Sequence, residues 1–226
     1  MRADQDIRRD VERQLEWEPS IDAGEIGVAV KDGIVTLSGF AHSFLENFDA
    51  ERAAKRVTGV VGLANDIEVQ PRDRRTDSEI AHAAVEALKG HTFLPEGKVR
   101  PVVKHGIVTL EGEVEWQYQR DAALAVTRGL RGVKQVINQT VLKPKMRPNP
   151  SDIKIKIEDA LKRSAQVDAS KITVAMTDNT VVLRGSVRSY WEREEAEAAA
   201  WAAPGVTRVD SRIEVAVPTD EYDYEC

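Results

Sequence analysis

Few residues of this 226-residue chain have the types and spacing that catalysis or metal binding requires. No two of its four histidines have the spacing of metal ligands, and a single cysteine excludes an intrachain disulfide. There is no glycine-rich phosphate loop, no G-x-G-x-x-G motif and no cysteine cluster. We therefore predict no catalytic residue, no metal site, no cofactor and no enzymatic activity. The histidines and the cysteine to which this prediction applies are His42, His82, His91, His105 and Cys226.

The recurring feature is instead a spacing of 73 residues. The run G-I-V-T-L occurs at 33–37 and at 106–110, and N-T-V-V-L occupies 179–183. A constant offset through several such runs indicates three copies of one unit. We assign 1–72 to unit 1, 73–146 to unit 2, 147–217 to unit 3 and 218–226 to an acidic tail. Glycines that we expect to be structural are Gly33, Gly39, Gly59, Gly106, Gly112, Gly132, Gly185 and Gly205.

Because the three units share one sequence pattern, we predict the same order of helices and strands in each. Apolar residues four apart, such as Ile7, Val11 and Leu15, predict an opening helix. Alternating apolar residues on both sides of Asp32-Gly33 predict a β-hairpin with a type I′ turn. An alanine-rich second helix and a last strand follow. The predicted fold class is α+β: three tandem α-β-β-α-β units, each with two helices packed on one face of a three-stranded mixed sheet.

Two glycine positions of each unit carry specific structural predictions. Gly39, at the end of the second strand, predicts either a backbone with positive φ or a helix packed too closely for a side chain. Gly59 predicts the end of the second helix, as a glycine at C′ would. In unit 3, Asn179 replaces the turn glycine, and asparagine tolerates positive φ better than most residues.

These motifs resemble the BON domain. The resemblance rests on G-I-V-T-L-S-G at 33–39 with T-G-V-V-G-L-A-N at 58–65, and on 106–112 with 131–138. The third copy, 179–185 with 204–211, differs at the turn glycine and at the asparagine. The resemblance covers nearly the whole chain and implies three tandem BON domains, similar to osmotically inducible periplasmic proteins. It further implies a non-enzymatic bacterial envelope module associated with phospholipid interaction and osmotic protection.

Charge separates the middle unit from its neighbours. Residues 1–73 have a net charge of −6, residues 74–146 of +4 and residues 147–226 of −4. A basic unit between acidic ones is either an ordinary solvated surface or a contact for anionic headgroups or an acidic partner. Our candidate lipid or partner contacts are Lys98, Arg100, Lys104, Trp116, Arg128, Arg131 and Lys134.

Aromatic residues cluster near the start of each second helix. They either fasten the helix to the sheet or anchor the protein in an interface. Trp116 is the stronger anchor candidate because Ser43 and Ser189 occupy the equivalent positions. The other aromatic residues of this group are Phe40, Phe44, Tyr118, Tyr190 and Trp191.

The functional prediction is a stress-associated binding or scaffolding protein that contacts anionic phospholipid or envelope components through unit 2. The alternative is a cytosolic protein–protein adaptor or chaperone-like module, in which unit 2 docks acidic proteins or the outer units. No nucleic-acid partner is expected, since the chain is acidic overall, and no apolar run suits a transmembrane span. The N-terminal residues lack a signal-peptide pattern, which predicts a cytoplasmic location, or a periplasmic one if an export signal was removed.

Overall fold

The computed structural model describes residues 2–145, 149–164 and 168–216. The predicted acidic tail, 218–226, lies outside these residues. Within them the chain forms three α-β-β-α-β units, which confirms the predicted fold class. Unit 1 comprises α1 (Asp4–Trp17), β1 (Ile26–Lys31), β2 (Ile34–Ala41), α2 (Phe44–Lys55) and β3 (Gly62–Val69).

Units 2 and 3 repeat this order. Unit 2 comprises α3 (Asp77–Lys89), β4 (Val99–Lys104), β5 (Ile107–Val114), α4 (Gln117–Arg128), β6 (Gln135–Asn138) and β7 (Val141–Leu142). Unit 3 comprises α5 (Pro150–Arg163), β8 (Ile172–Thr177), β9 (Thr180–Val187), α6 (Tyr190–Trp201) and β10 (Arg208–Val215).

In every unit the central strand pairs antiparallel with the first strand and parallel with the last. A strand–helix–strand connection of this kind places the helix on one face of the sheet. In unit 2 the last strand is broken between β6 and β7, where the Asn138 side chain accepts hydrogen bonds from the backbone N–H and the hydroxyl of Thr140. Asn65 accepts the equivalent hydrogen bond from the Ile67 N–H in unit 1, where β3 is continuous.

The opening helix of each unit buries one apolar stripe against the sheet. In α1 the stripe is Ile7, Val11 and Leu15, each at most 1% exposed. The same positions are buried in α3 and α5, as the four-residue spacing predicts. Opposite them lie buried residues of the central strand, including Val35 and Leu37 in unit 1. Each unit therefore has its own small core.

The hairpin turns fit the sequence pattern in two units of three. Asp32 and Gly33 both have positive φ, 52° and 75°, and so do His105 and Gly106, 55° and 80°. These values confirm the first two type I′ turns. In unit 3, Asp178 has a φ of 53° but Asn179 does not have positive φ, so the type I′ prediction is wrong there.

The structure explains why glycine stands at the end of the second strand, for which the sequence allowed two reasons. Gly112 has a φ of 134°, and a Cβ built on it would lie 1.9 Å from the carbonyl oxygen of Lys98. Positive φ is therefore confirmed, and the alternative of a collision with the helix is wrong, because the obstacle is the backbone before β4. Gly39 and Gly185 meet the equivalent carbonyl groups of Glu25 and Lys171.

The second helices end earlier than predicted. α2 ends at Lys55, whereas Gly59 closes the turn that follows, with a φ of 99°. Gly132 and Gly205 stand in the same relation to α4 and α6. These glycines thus shape the loop into the last strand and are not C′ residues of the helix.

Contacts between the units join the second helices into what we call the inter-unit ring, formed by α2, α4 and α6 with the residues next to them. Phe44 of unit 1 packs against the core of unit 2, and Tyr190 of unit 3 packs against the core of unit 1. Trp201 of unit 3 packs against the cores of both unit 3 and unit 2. Each unit therefore contacts both of the others.

Candidate functional site

The candidate site begins with one exposed face of the unit 2 sheet. Arg100, Val102 and Lys104 alternate along β4 on the side away from the helices, and Lys98 lies in the turn just before the strand. Val102 is 50% exposed, and Ile137 on β6 is 38% exposed. We call these five residues the basic sheet face. It combines long cationic side chains with uncovered apolar ones.

The cations of the basic sheet face are not neutralised by ion pairs. In the part of the chain that the structure describes, Lys98, Arg100 and Lys104 form no salt bridge. Glu111 is the cross-strand neighbour of Arg100 on β5, and Glu113, which is paired with Lys143, is exposed two residues further along the same strand, so two carboxylates lie beside the face. The remaining cations are free to attract an external anion.

The other predicted contacts lie elsewhere. Arg131 pairs with Asp73, at 3.4 Å between Nη1 and a carboxylate oxygen. Lys134 lines a cleft of about 830 Å³ together with residues of the linker between units 1 and 2. The structure thus separates these two residues from the basic sheet face and places them near the linker.

Arg128 belongs to the inter-unit ring. Its guanidinium carbon lies 4.0 Å from the ring centroid of Phe48 in unit 1, which is a cation–π contact. Partial burial lowers the pKa of Arg128, although the nearby carboxylate of Asp49 acts in the opposite direction. The guanidinium is therefore occupied within the molecule.

Trp116 stands directly before α4, as its N-cap residue, and is half-buried. Its indole cannot accept the hydrogen bond that a serine would. The side-chain oxygen of Gln119 instead accepts from the N–H groups of Glu115 and Trp116, at 2.9 and 3.2 Å. Trp116 lines a cleft of about 600 Å³ between unit 2 and unit 3, together with Trp201. The seven predicted contacts therefore do not form one surface.

Among the residues that the structure describes, no three or more His, Cys, Asp or Glu side chains are grouped so that they could hold a metal ion. None of the described helices is long and apolar enough to cross a membrane.

Sequence comparison agrees with the repeated fold. The family model of the BON domain matches the chain three times, at residues 3–71, 76–144 and 149–217. The chain belongs to the BON domain family.

Two relatives within this family have names that describe their setting. Osmotically-inducible protein Y of Escherichia coli (strain K12) is 30% identical over 143 residues, which cover 60% of this chain and 70% of the relative. Outer membrane lipoprotein DolP of Haemophilus influenzae is 28% identical over 170 residues, which cover 70% of this chain and 86% of the relative. Both relatives align with more than one BON unit of this chain.

A solved structure of CdsD, a structural protein of the Type III secretion system of Chlamydia trachomatis, is also similar. It is 13% identical and covers 92% of this chain and 91% of that one, with a TM-score of 0.25. A similarity at that level carries no conclusion about this BON protein.

Sequence reasoning missed two residues of the inter-unit ring. Asp121 and Trp201 line the cleft between units 2 and 3 but were not predicted as site residues. A signal was present, because the 73-residue offset relates Trp201 to Lys55 and Arg128. This position is a cation in units 1 and 2 and an aromatic residue in unit 3. Such a change within a repeat indicates that the contact made by unit 3 differs in chemistry from the other two.

Proposed function

We propose that this BON protein is a non-catalytic binding protein that attaches to anionic phospholipid surfaces through the basic sheet face. The observation that carries the proposal is the presence of unpaired Lys98, Arg100 and Lys104 beside the exposed Val102 and Ile137. Unit 2 is also the one unit with a positive net charge. The flanking units are acidic, so an anionic surface would attract unit 2 and repel the others.

The strength of this attachment follows from its charges. A basic residue next to an anionic membrane contributes about 1 kcal/mol, and the attraction fades beyond roughly 10 Å at 0.1 M salt. Three such residues would give weak, reversible binding that decreases as salt rises. Val102 and Ile137 would add a small apolar contribution at the headgroup boundary. Trp116 is not part of this surface, since it lies in the cleft between units 2 and 3.

The names of the relatives support an envelope setting. One relative is named as osmotically inducible and the other as an outer membrane lipoprotein. We infer a stress-related role at the bacterial envelope for this chain, with a periplasmic rather than a cytoplasmic location.

Vesicle co-sedimentation tests the proposal. The full chain should bind vesicles of anionic phospholipid at low salt but not vesicles of zwitterionic phospholipid. The triple variant Lys98→Glu, Arg100→Glu, Lys104→Glu should lose this binding while keeping the circular dichroism spectrum of the parent. The matched control reverses three exposed lysines of α5, Lys154, Lys156 and Lys162, and should bind as the parent does.

Two results would count against the proposal. If the triple variant binds anionic vesicles as well as the parent does, the basic sheet face is not the lipid contact. If the parent fails to bind at low salt, the adaptor alternative takes its place, with an acidic protein as the partner of the same face.

A further inference from the structure

The three interfaces of the inter-unit ring are one contact repeated. A residue in the last turn of each second helix faces the second helix of another unit. The position that it faces lies seven residues earlier in the repeat. The pairs are Lys55 with Glu194 and Arg128 with Phe48, which are in contact, and Trp201 with Asp121, which line the same cleft. The first members of these pairs are 73 residues apart, and so are the second members. The three interfaces can therefore be compared position by position.

The interface between units 1 and 3 holds two cations. The ammonium of Lys55 lies 2.7 Å from a carboxylate oxygen of Glu194. The next residue, Arg56, places its guanidinium carbon 4.7 Å from the ring centroid of Trp191. One carboxylate and one aromatic ring of α6 thus receive two neighbouring cations from unit 1.

The interface between units 2 and 3 has an aromatic residue and a carboxylate at the equivalent positions, but it has no cation where unit 1 has Lys55 and Arg56. At the 73-residue offset, Tyr118 corresponds to Trp191, and Asp121 corresponds to Glu194. The residues that correspond to Lys55 and Arg56 are Trp201 and Ala202. An alanine is too short to reach Tyr118, and the space that an arginine would fill forms part of the cleft.

The cleft has the chemistry of a site for an organic cation. Its lining residues include no lysine and no arginine, and its volume of about 600 Å³ lies within the usual range for small ligands. The rings of Trp116 and Tyr118 lie 6.2 Å apart, and Glu197 lines the cleft with Asp121. Aromatic faces and carboxylates together bind ammonium and guanidinium groups. Glu194, also at the rim, is already paired with Lys55.

Among the residues that the structure describes, Asp121 takes part in no ion pair. The cleft walls partly desolvate the carboxylate and raise its pKa, although the residue as a whole remains exposed. A hydrogen bond from Gln117, at 2.9 Å, and the charge of Arg120 act in the opposite direction. A bound cation would supply the missing charge.

We propose that the cleft between units 2 and 3 binds a small aliphatic cation with ammonium or guanidinium head groups, of the polyamine class. One head group stacks on Tyr118, as Arg56 does on Trp191, and a second binds Asp121, as Lys55 binds Glu194. The hydrocarbon between the head groups lies against Trp116 and Trp201. This proposal is independent of phospholipid binding, which uses the basic sheet face.

Titration of the full chain with agmatine tests the site, because agmatine carries one guanidinium and one ammonium group on a four-carbon stem. Saturable binding should appear in calorimetry and in tryptophan fluorescence, and 1-pentanol at the same concentration should give neither signal. Asp121→Asn should weaken binding about tenfold or more through loss of the charged partner. Glu16→Gln, which removes a charge from the exposed side of α1, should bind agmatine as the parent does.

A second variant supplies the missing cation from within the chain. Ala202→Arg places a guanidinium opposite Tyr118, so it should abolish agmatine binding while the melting temperature stays equal or rises. Overturning results are an absence of saturable agmatine binding up to about 10 mM, or unchanged binding in Asp121→Asn or Ala202→Arg. A capped Lys-Arg dipeptide that binds where agmatine does not would also overturn the proposal, in favour of a partner protein's side chains.

Discussion

The ammonium nitrogen of Lys55 in unit 1 lies 2.7 Å from a carboxylate oxygen of Glu194 in unit 3, across 139 positions of sequence. Burial alone would lower the pKa of Lys55, but hydrogen bonds to Glu194 and Glu51 outweigh burial and raise it. The charged form of Lys55 is therefore the stable one at this interface, and the ion pair joins the first unit to the last.

Loss of that partner should weaken the contact between units 1 and 3. We expect Glu194→Gln to lower the free energy of unfolding by about 1 kcal/mol, since Lys55 keeps Glu51 as a second partner. Glu195→Gln, on the same helix, is the control and should change stability by less than about 0.5 kcal/mol. Urea unfolding at pH 7 measures both variants, and equal midpoints would show that the pair adds nothing.

Asp77 provides a prediction that depends on pH. Its carboxylate accepts hydrogen bonds from the backbone N–H groups of Gly106 and His105, at 2.9 and 2.8 Å, and these bonds lower its pKa. A lowered pKa in the folded state gives stability above the ordinary aspartate pKa of about 3.9. This stability is lost as the pH falls through the lowered value.

Asp77→Asn should therefore destabilise unit 2 at pH 7 but progressively less towards pH 3. Amide hydrogen exchange at His105 and Gly106 should be faster in the variant at pH 7, and urea midpoints of variant and parent should converge in acid. Exchange at the unit 1 hairpin, where Asp4 accepts the equivalent hydrogen bonds from Asp32 and Gly33, is the internal control and should not change. A difference in midpoint that is constant with pH would contradict this role of the carboxylate.

Gly112 should not tolerate any side chain. Gly112→Ala forces a Cβ to within 1.9 Å of the Lys98 carbonyl oxygen at positive φ, and we expect a loss of about 3 kcal/mol. Gly129→Ala is the matched control, because a Cβ there meets nothing within 4 Å and φ is −84°. Thermal melts that coincide for Gly112→Ala and the parent would remove the carbonyl contact as the explanation.

Glu111 should oppose attachment to anionic vesicles. Its carboxylate is the cross-strand neighbour of Arg100, and one charge at an anionic surface corresponds to about 1 kcal/mol. Glu111→Gln should thus tighten vesicle binding about fivefold at low salt, and the gain should shrink as salt screens the surface. The control Glu16→Gln should bind as the parent does, and an unchanged or weaker Glu111→Gln would argue against the basic sheet face.

The elements within a unit could be predicted because local periodicity determines them. The stripe of Ile7, Val11 and Leu15 has helical spacing, and the pair Asp32-Gly33 has turn chemistry. Prediction failed where a contact is distant in sequence or is made by the backbone. Glycine at position 112 indicated that a side chain is excluded there, but residue type did not show that the carbonyl group of Lys98 excludes it.

Prediction of the candidate site was limited for the same reason. Charge identified unit 2, but net charge says nothing about which cations share a face. The alternation of Arg100 and Lys104 along one strand was readable, whereas the packing of Arg128 onto Phe48 depends on how separate units meet. The cleft near Asp121 exists only in the assembled chain, so a single unit read alone could not reveal it.

Because each unit contacts both of the others, the contacts of α2, α4 and α6 form a closed cycle. A linear stack of repeats can gain or lose a member at either end, whereas a cycle of this kind fixes its membership. Two units would leave two half-interfaces uncovered; without unit 3, for example, these are the core surfaces under Tyr190 in unit 1 and under Trp201 in unit 2. A fourth would have no vacant neighbour to join. Copy number in this protein is thus a geometric property, and gene duplications that change it would have to build a different assembly.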